Sequence, residues 1–173
     1  MYSESAKLYI EAQNDKLDQL IEEIRKVFGI AYVDKVYRTN KNTDSITAAV
    51  KKSIIDNYGS GEYTFKVQTK RVDKSFKYKS PEFNMILGDK ILDEFSNLSV
   101  DIHNPDFKVY VEIKNEAYVY TKRIPGLGGL PIGSSGEGLL LLSGGIDSPV
   151  AGFLVAKRGM KINALHFHSY PFT

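Results

Sequence analysis

The sequence predicts a mixed α/β protein, α+β through its middle, with a β-α-β unit at each end. Three patterns predict it. Apolar residues alternate with polar ones in short runs such as "FKVYVEI" (107–113), the period of a half-buried strand. Rows of apolar residues at helical spacing follow residues that suit helix starts, as in "SPEFNMILGDKILDEF" (80–95). Near the end, "LLLLSGGIDSPVAGFLVAKRG" (139–159) runs from an apolar strand through two glycines directly into a helix.

Taken in order, "AKLYIEA" (6–12) alternates well enough for a short strand. Asn14 suits an N-cap, Leu17, Leu20, Ile21, Ile24 and Phe28 share one helical face, and Gly29 suits a C′ residue. "IAYVDKVYR" (30–38) reads as the next strand, and a helical crossover would make it parallel to the first. Two strands and one helix are too few for a stable sheet, so the expectation is either that this unit docks on something else or that the chain starts partway through a domain. The next helix has Asn42 or Thr43 as cap, a face of Ile46, Ala49, Val50 and Ile54, and Gly59 as terminator. "YTFKVQTKRV" (63–72) follows as a strand. The helix after it places Ser80 at the N-cap, Pro81 at N1 and Phe83, Leu87, Ile91 and Phe95 in one row. Phe107, Val109, Val111 and Ile113 face inward on a strand that "KNEA" turns back into "AYVYTKR" as an antiparallel hairpin. "PGLGGLPIGSSGEG" (125–138) keeps no amphipathic period and reads as a linker. A strand over 139–142, a helix over about 149–158 closed by Gly159, and the strand "KINALHFHSY" complete a second β-α-β unit.

Composition bounds the function. The 173 residues hold 42% hydrophobic and 25% charged side chains, an ordinary globular balance. No apolar run is long enough to span a bilayer and no export signal opens the chain, so the expectation is a cytoplasmic protein without a membrane partner. Cysteine is absent, which excludes disulfides, thiolate metal sites and a cysteine nucleophile within these residues. A net charge of +2 says nothing about nucleic acid until the charges are located.

The chemistry concentrates at the turn after the leucines. That run suits a strand buried on both faces, as in a parallel sheet covered by helices. Ser143, Gly144 and Gly145 have minimal bulk, which lets backbone N–H groups close around a ligand. Ser148 at the N-cap and Pro149 at N1 would mark a helix whose unpaired N–H groups face the turn and favour an anion, here a phosphate. The alternative is a tight capped turn that binds nothing. No Walker loop and no Gly-x-Gly-x-x-Gly opens this helix. Asp147, a carboxylate beside such an anion, would be repelled unless a Mg2+ bridged the two, or else it serves as a cap acceptor. His166 and His168 share one face of the last strand and Phe167 the other. They lack an obvious third metal ligand, and they mark the strand end where open α/β sheets bind ligands.

A second concentration is "KVQTKRVDKSFKYK" (66–79). Lys66, Lys70, Arg71, Lys74, Lys77 and Lys79 stand against one acid, Asp73, with Phe76 and Tyr78 interleaved. This suits a polynucleotide backbone with nearby stacking, or a solvated strand edge guarded by lysines.

Ser143-Gly144-Gly145-Ile146-Asp147-Ser148 resembles the PP-loop of adenylating enzymes. With "FKVQTKRVDKSFKYKSPEFNMILGDKIL", "VDIHNPDFKVYVEI", "AYVYTKRIPGLGGLPIGSSGEGLLLLSGGIDSPVAG" and "HFHSYPFT", the chain looks like the tRNA 4-thiouridine synthetase family from about residue 18 onward. The resemblance implies a partial ferredoxin-like unit (1–40), a THUMP RNA-binding domain (41–123), a linker (124–137) and the start of a PP-loop ATP-binding domain (138–173). It implies an ATP-dependent sulfurtransferase that adenylates O4 of a tRNA uridine and installs persulfide sulfur delivered by a cysteine desulfurase. Sulfur for the thiazole of thiamine and a homodimer are further implications. By matching motif, Leu141 and Leu142 would border ATP, Ser143, Gly144, Gly145, Asp147 and Ser148 would hold its phosphates, and His166 and Phe167 would contact adenine. Asp147 would be the catalytic residue, acting through Mg2+, and the basic block would face tRNA.

Leu127 and Glu137 depart mildly from the family pattern in the linker. The family also carries a β-α unit before this chain's start and most of the PP-loop domain, with its sulfur-accepting cysteine, after Thr173. The expectation is therefore a fragment with an incomplete ATP pocket. Two alternatives remain: a non-catalytic tRNA-binding module with a vestigial nucleotide site, and a PP-loop enzyme acting on a small molecule, against which the basic block argues.

Overall fold

A computed structural model describes residues 2–4 and 7–168, and two compact units divide the chain: Asp34–Arg123, and Met1–Val33 with Ile124–Thr173. The chain begins with β1 (Tyr2–Glu4) and β2 (Lys7–Tyr9), an antiparallel hairpin. The expected single strand over 6–12 is thus only β2; Ala6 lies outside the described residues. Asn14 opens a 3-10 turn, and α1 (Leu17–Ile24) starts behind Lys16, so the helix is displaced from its expected cap. It also ends before Phe28 and Gly29, and of its apolar row only Ile21 is fully buried. Gly29 adopts φ +91° and donates its N–H to Gly128 O at 2.8 Å, so it serves a chain crossing rather than the helix end.

The expected strand over 30–38 is two strands. β3 (Tyr32–Asp34) and β4 (Tyr37–Thr39) enter different sheets, and β2 does not pair with β3 among the described residues. The predicted parallel β-α-β unit is therefore corrected. Each piece needs backbone partners, and both find them far along the chain rather than across the α1 crossover.

α2 (Thr43–Tyr58) starts at Asn42, whose side chain accepts from Ser45 N at 2.8 Å, and ends at Gly59 with φ +59°. β5 (Tyr63–Arg71) follows, then α3 (Ser80–Glu94). The cap of α3 is Lys79, one residue before the expected Ser80, and its backbone N–H donates to Glu82 Oε2. β6 (Leu98–Val100) is an edge strand too short to leave an alternation in the sequence. β7 (Phe107–Ile113) and β8 (Ala117–Tyr120) form the predicted hairpin.

These strands make one mixed sheet in the order β4-β8-β7-β5-β6, with β5 parallel to both β6 and β7. Strand parity sends Phe65, Val67, Phe107, Val109, Val111, Ile113, Ala117 and Val119 to one face. Ile46, Val50 and Ile54 of α2 and Phe83, Leu87 and Ile91 of α3 close over it, all six completely buried. A buried polar knot fixes α2 to the end of β8. Ser53 and Thr121 share a hydroxyl bond at 2.9 Å, and Asn57 Nδ2 and the Tyr58 hydroxyl donate to Thr121 Oγ1 and Thr121 O. Burial pushes the Tyr58 phenol up to about 12, so it remains a donor.

β9 (Arg123–Pro125) pairs with β3, and the remaining elements belong to the other unit. The glycine-rich segment then runs to β10 (Glu137–Leu141), α4 (Asp147–Lys157) and β11 (Lys161–Leu165), a parallel β-α-β unit as predicted. The leucine run is not buried on both faces. Leu139 and Leu141 are exposed while Leu140 and Leu142 are half-buried, because α4 covers one face of a two-stranded sheet. No described helix is long and apolar enough to cross a membrane.

Leu87 fills the seam between α3 and the sheet with no exposure. Leu87→Ala should lower unfolding free energy by about 2–5 kcal/mol, read from urea denaturation followed by far-UV circular dichroism.

Candidate functional site

β10 and β11 run parallel in register from Glu137↔Lys161 to Leu141↔Leu165, and Leu142 N donates to Leu165 O at 2.8 Å one step beyond. α4 returns across them closely. A Cβ at Gly152 would lie 2.7 Å from Leu140 Cδ2, so a side chain there would push the end of Leu140 aside. The turn 143–146 therefore sits at the C-terminal end of a parallel strand, at the start of the crossover helix, where α/β sheets bind ligands.

α4 starts earlier than predicted. Ile146 holds the cap position, Asp147 is the first helical residue, and Ser148 and Pro149 lie inside the first turn. Ser148 is not an N-cap. Its hydroxyl instead reaches back across the turn, accepting from Ser143 N at 3.1 Å and lying 3.1 Å from Ser143 Oγ. Gly145 N donates to Ser143 Oγ at 3.4 Å. The two serines thus hold the turn closed.

The two glycines have no such structural duty. Neither Gly144 nor Gly145 adopts a positive φ. A Cβ at Gly144 would meet nothing within 4 Å, and at Gly145 only Ser143 Oγ at 3.7 Å. The fold would accept a side chain at both places, and glycine leaves room for something to approach the backbone. Asp147 is exposed in the first turn of α4, where a carboxylate is favoured by the helix dipole. Among the described residues no group of three His, Asp or Glu is arranged to hold a metal ion.

His166, Phe167 and His168 follow the end of β11 rather than lying on its faces, and the expected continuation through Ser169 and Tyr170 lies outside the described residues. His166 Nδ1 is 2.8 Å from Leu142 O, which ties the ends of the two strands together. Phe167 is exposed at 73%. The structure thus gathers Leu141, Leu142, Ser143, Gly144, Gly145, Asp147, Ser148, His166 and Phe167 around one end of the β10–β11 pair.

The segment read as a linker has no helix or strand between the end of β9 and the start of β10, as its missing period predicts, yet it is tightly bound. Leu127 N donates to Arg25 O, Gly126 N to Ala31 O, Leu130 N to Lys157 O and Gly133 N to Gly159 O. Here glycine is obligatory. Gly129 has φ +81° and a Cβ on it would lie 2.2 Å from Lys157 O.

In the other unit the basic block divides. Lys66 donates to Ile102 O at 2.9 Å on β5, away from the following loop. Arg71 turns inward and its Nη1 donates to Tyr78 O at 3.1 Å. Lys70, Lys74, Lys77 and Lys79 are exposed, and none has a carboxylate partner among the described residues. The expected stacking aromatics are not available. Phe76 is buried and Tyr78 half-buried, both packed on Phe83 at 4.9 and 5.7 Å between centroids, because they anchor the loop in the core. Lys41 was not legible as part of this face. It lies 32 positions from Asp73 and pairs with it at 2.5 Å.

The THUMP domain family model matches residues 40–122, and that of the thiamine biosynthesis protein ThiI matches residues 133–173. A "Probable tRNA sulfurtransferase" of Finegoldia magna is 55% identical over 99% of this chain and 44% of its own length. Its counterpart in Alkaliphilus metalliredigens is 47% identical over all of this chain and 44% of its own length. This chain is similar to tRNA sulfurtransferases along its whole length. It spans less than half the length of these relatives. A solved 4-thiouridine synthetase in complex with RNA and bound ATP matches with TM-score 0.84 and 39% identity, covering 94% of this chain and 42% of that one. The mixed α/β architecture, a THUMP domain and part of a PP-loop region, is thus shared with that solved synthetase.

In this chain the glycines of the linker and those of the turn should respond oppositely to substitution. Gly129→Ala forces a strained φ and a backbone collision, and should destabilise by about 1–3 kcal/mol or more in thermal unfolding.

Proposed function

We propose that this chain supplies the tRNA-docking surface and the phosphate-holding turn of an ATP-dependent tRNA sulfurtransferase. The observation that carries the reading is the open space over Gly144, in a turn otherwise held shut by Ser143 and Ser148. Glycine there serves a ligand and not the fold. The N–H groups that end the turn and begin α4 suit phosphate oxygens, and the neighbour solved with ATP supports that ligand.

When bound, ATP would transfer an adenylyl group to O4 of a tRNA uridine with release of pyrophosphate. The outer sulfur of a persulfide would then attack C4 and expel AMP, and a second thiol would cleave the resulting mixed disulfide to free 4-thiouridine. The turn from Ser143 to Ser148 holds the phosphates, Leu141 and Leu142 border the nucleotide, and His166 and Phe167 adjoin adenine. Asp147 would help to hold Mg2+, since among the described residues no cluster of His, Asp or Glu offers the ion a site of its own. Lys70, Lys74, Lys77 and Lys79, with Lys66 and Arg71 behind them, form the cationic surface for tRNA. The chain has no cysteine, so the persulfide is carried on a thiol outside these residues, loaded by a cysteine desulfurase. Sulfur supply for thiamine thiazole, a homodimeric state and a cytoplasmic location complete the proposal. So do the divisions at residues 1–40, 41–123, 124–137 and 138–173.

A second reading has its own support. Leu139 and Leu141 are exposed and the β10–β11 sheet has two strands, which favours an RNA-docking chain that does not bind ATP by itself. Titration of the 173-residue chain with a tRNA transcript and with ATP, each across a range of salt, separates the two. Binding of tRNA should weaken steeply with salt and be lost on charge reversal at Lys70, Lys74 and Lys79; unchanged binding would overturn the RNA reading. ATP binding that disappears in Gly144→Val, with the unfolding midpoint unmoved, supports the phosphate turn. ATP binding that survives that change sinks it, and no ATP binding by the native chain selects the second reading.

A further inference from the structure

One acid, Asp73, sits in the middle of the basic block, where simple electrostatics says it should weaken any polyanion complex. Its surroundings say otherwise. Asp73 Oδ1 accepts from Ser75 N at 2.8 Å and from Ser75 Oγ at 2.7 Å. Its other oxygen takes the ammonium of Lys41. Asp73 N and Val72 N both donate to Ile113 O, which fastens the loop to the end of β7. The carboxyl is held well below the usual carboxylate range, first by Lys41 and then by Ser75.

Arg71 completes the frame from the opposite side. Its guanidinium Nη1 donates to Phe76 O at 3.4 Å and to Tyr78 O at 3.1 Å, drawing the far limb of the loop back to the strand end. Phe76 and Tyr78 then insert against Phe83. Three independent ties therefore fix residues 72–79: a carboxylate, a guanidinium and an aromatic anchor. What the loop leaves outside is Lys74, Lys77 and Lys79, flanked by Lys70, all exposed. The acid's own charge is matched by Lys41, brought from a different strand end.

We propose that Asp73 and Arg71 are positioning residues that hold the 72–79 loop in its RNA-binding shape, so that Asp73 strengthens tRNA binding although it is negative. The inference rests on the reading that this block binds tRNA. A loop already ordered loses less freedom when its lysines meet phosphates than a loop that must be ordered at that moment. Lys70, Lys74, Lys77 and Lys79 are then the contacts that release counterions, whereas Asp73 and Arg71 fix where those contacts stand.

The sign of one substitution decides. Asp73→Ala removes a negative charge, so a Coulombic role predicts tighter tRNA binding by the 173-residue chain. A positioning role predicts binding weaker by about three- to tenfold, with the slope of log affinity against log salt unchanged. Lys70→Ala and Lys74→Ala, as contacts, should each lower that slope by roughly 0.7–0.9. Asp73→Asn keeps an oxygen for Ser75 and should recover part of the loss. The core variant Leu87→Ala, which loses stability without touching the ties of Asp73 and Arg71, should leave affinity unchanged where the chain is folded. If Asp73→Ala binds as tightly as the native chain or more tightly while the lysine variants weaken, the positioning inference is overturned and the RNA reading stands. If the lysine variants bind unchanged, the RNA reading itself falls. Should the alanine variant unfold, Asp73→Asn and Ser75→Ala remove smaller parts of the same tie and are judged by the same sign and slope.

Discussion

The register of the five-stranded sheet is the constraint on which the Asp34–Arg123 unit depends. Arg71, Ile113, Ala117 and Thr39 stand in one row across β5, β7, β8 and β4. A one-residue slip would send the apolar set of any of these strands to the wrong face, so burial of Val111, Ile113 and Val119 under α2 and α3 holds the row in place. Everything that leaves the sheet at that end is thereby gathered. The loop after Arg71 and the segment carrying Lys41 meet because the strands that deliver them are locked side by side. An electrostatic surface is here a consequence of hydrophobic packing.

The same packing assigns roles within the basic block that charge alone cannot. Parity along β5 turns Phe65 and Val67 into the core and leaves Lys66 and Lys70 on the other face. Arg71, at the last residue of the strand, has the reach to bond two carbonyls of the returning loop through its Nη1. The aromatics of the loop join the Phe83 cluster because the apolar gain of burial outweighs their use as exposed platforms.

Glycine does two different jobs in the other unit, and the contrast separates fold from ligand. At Gly129 and Gly159 φ is positive and a Cβ would strike Lys157 O or Ser134 Oγ, so the close crossing of chain segments requires glycine. At Gly144 neither condition holds. A residue whose smallness the fold does not use points to something outside the fold that does. The serines around it complete the picture, since Ser143 and Ser148 bond each other and hold the turn in shape.

By itself the sequence determined the main elements of the central unit and the location of both candidate sites. α2, α3 and the β7–β8 hairpin are legible because caps, helical rows and strict alternation are local properties, set by side chains within a few positions of one another. The turn after the leucines is legible for the same reason. What only the tertiary structure decided is partnership. β3 and β4 part company, β6 joins an edge, the leucine strand is covered on one face, and Lys41 reaches Asp73. These outcomes depend on hydrogen-bond partners and apolar cover supplied by residues distant in the chain, which no local pattern encodes.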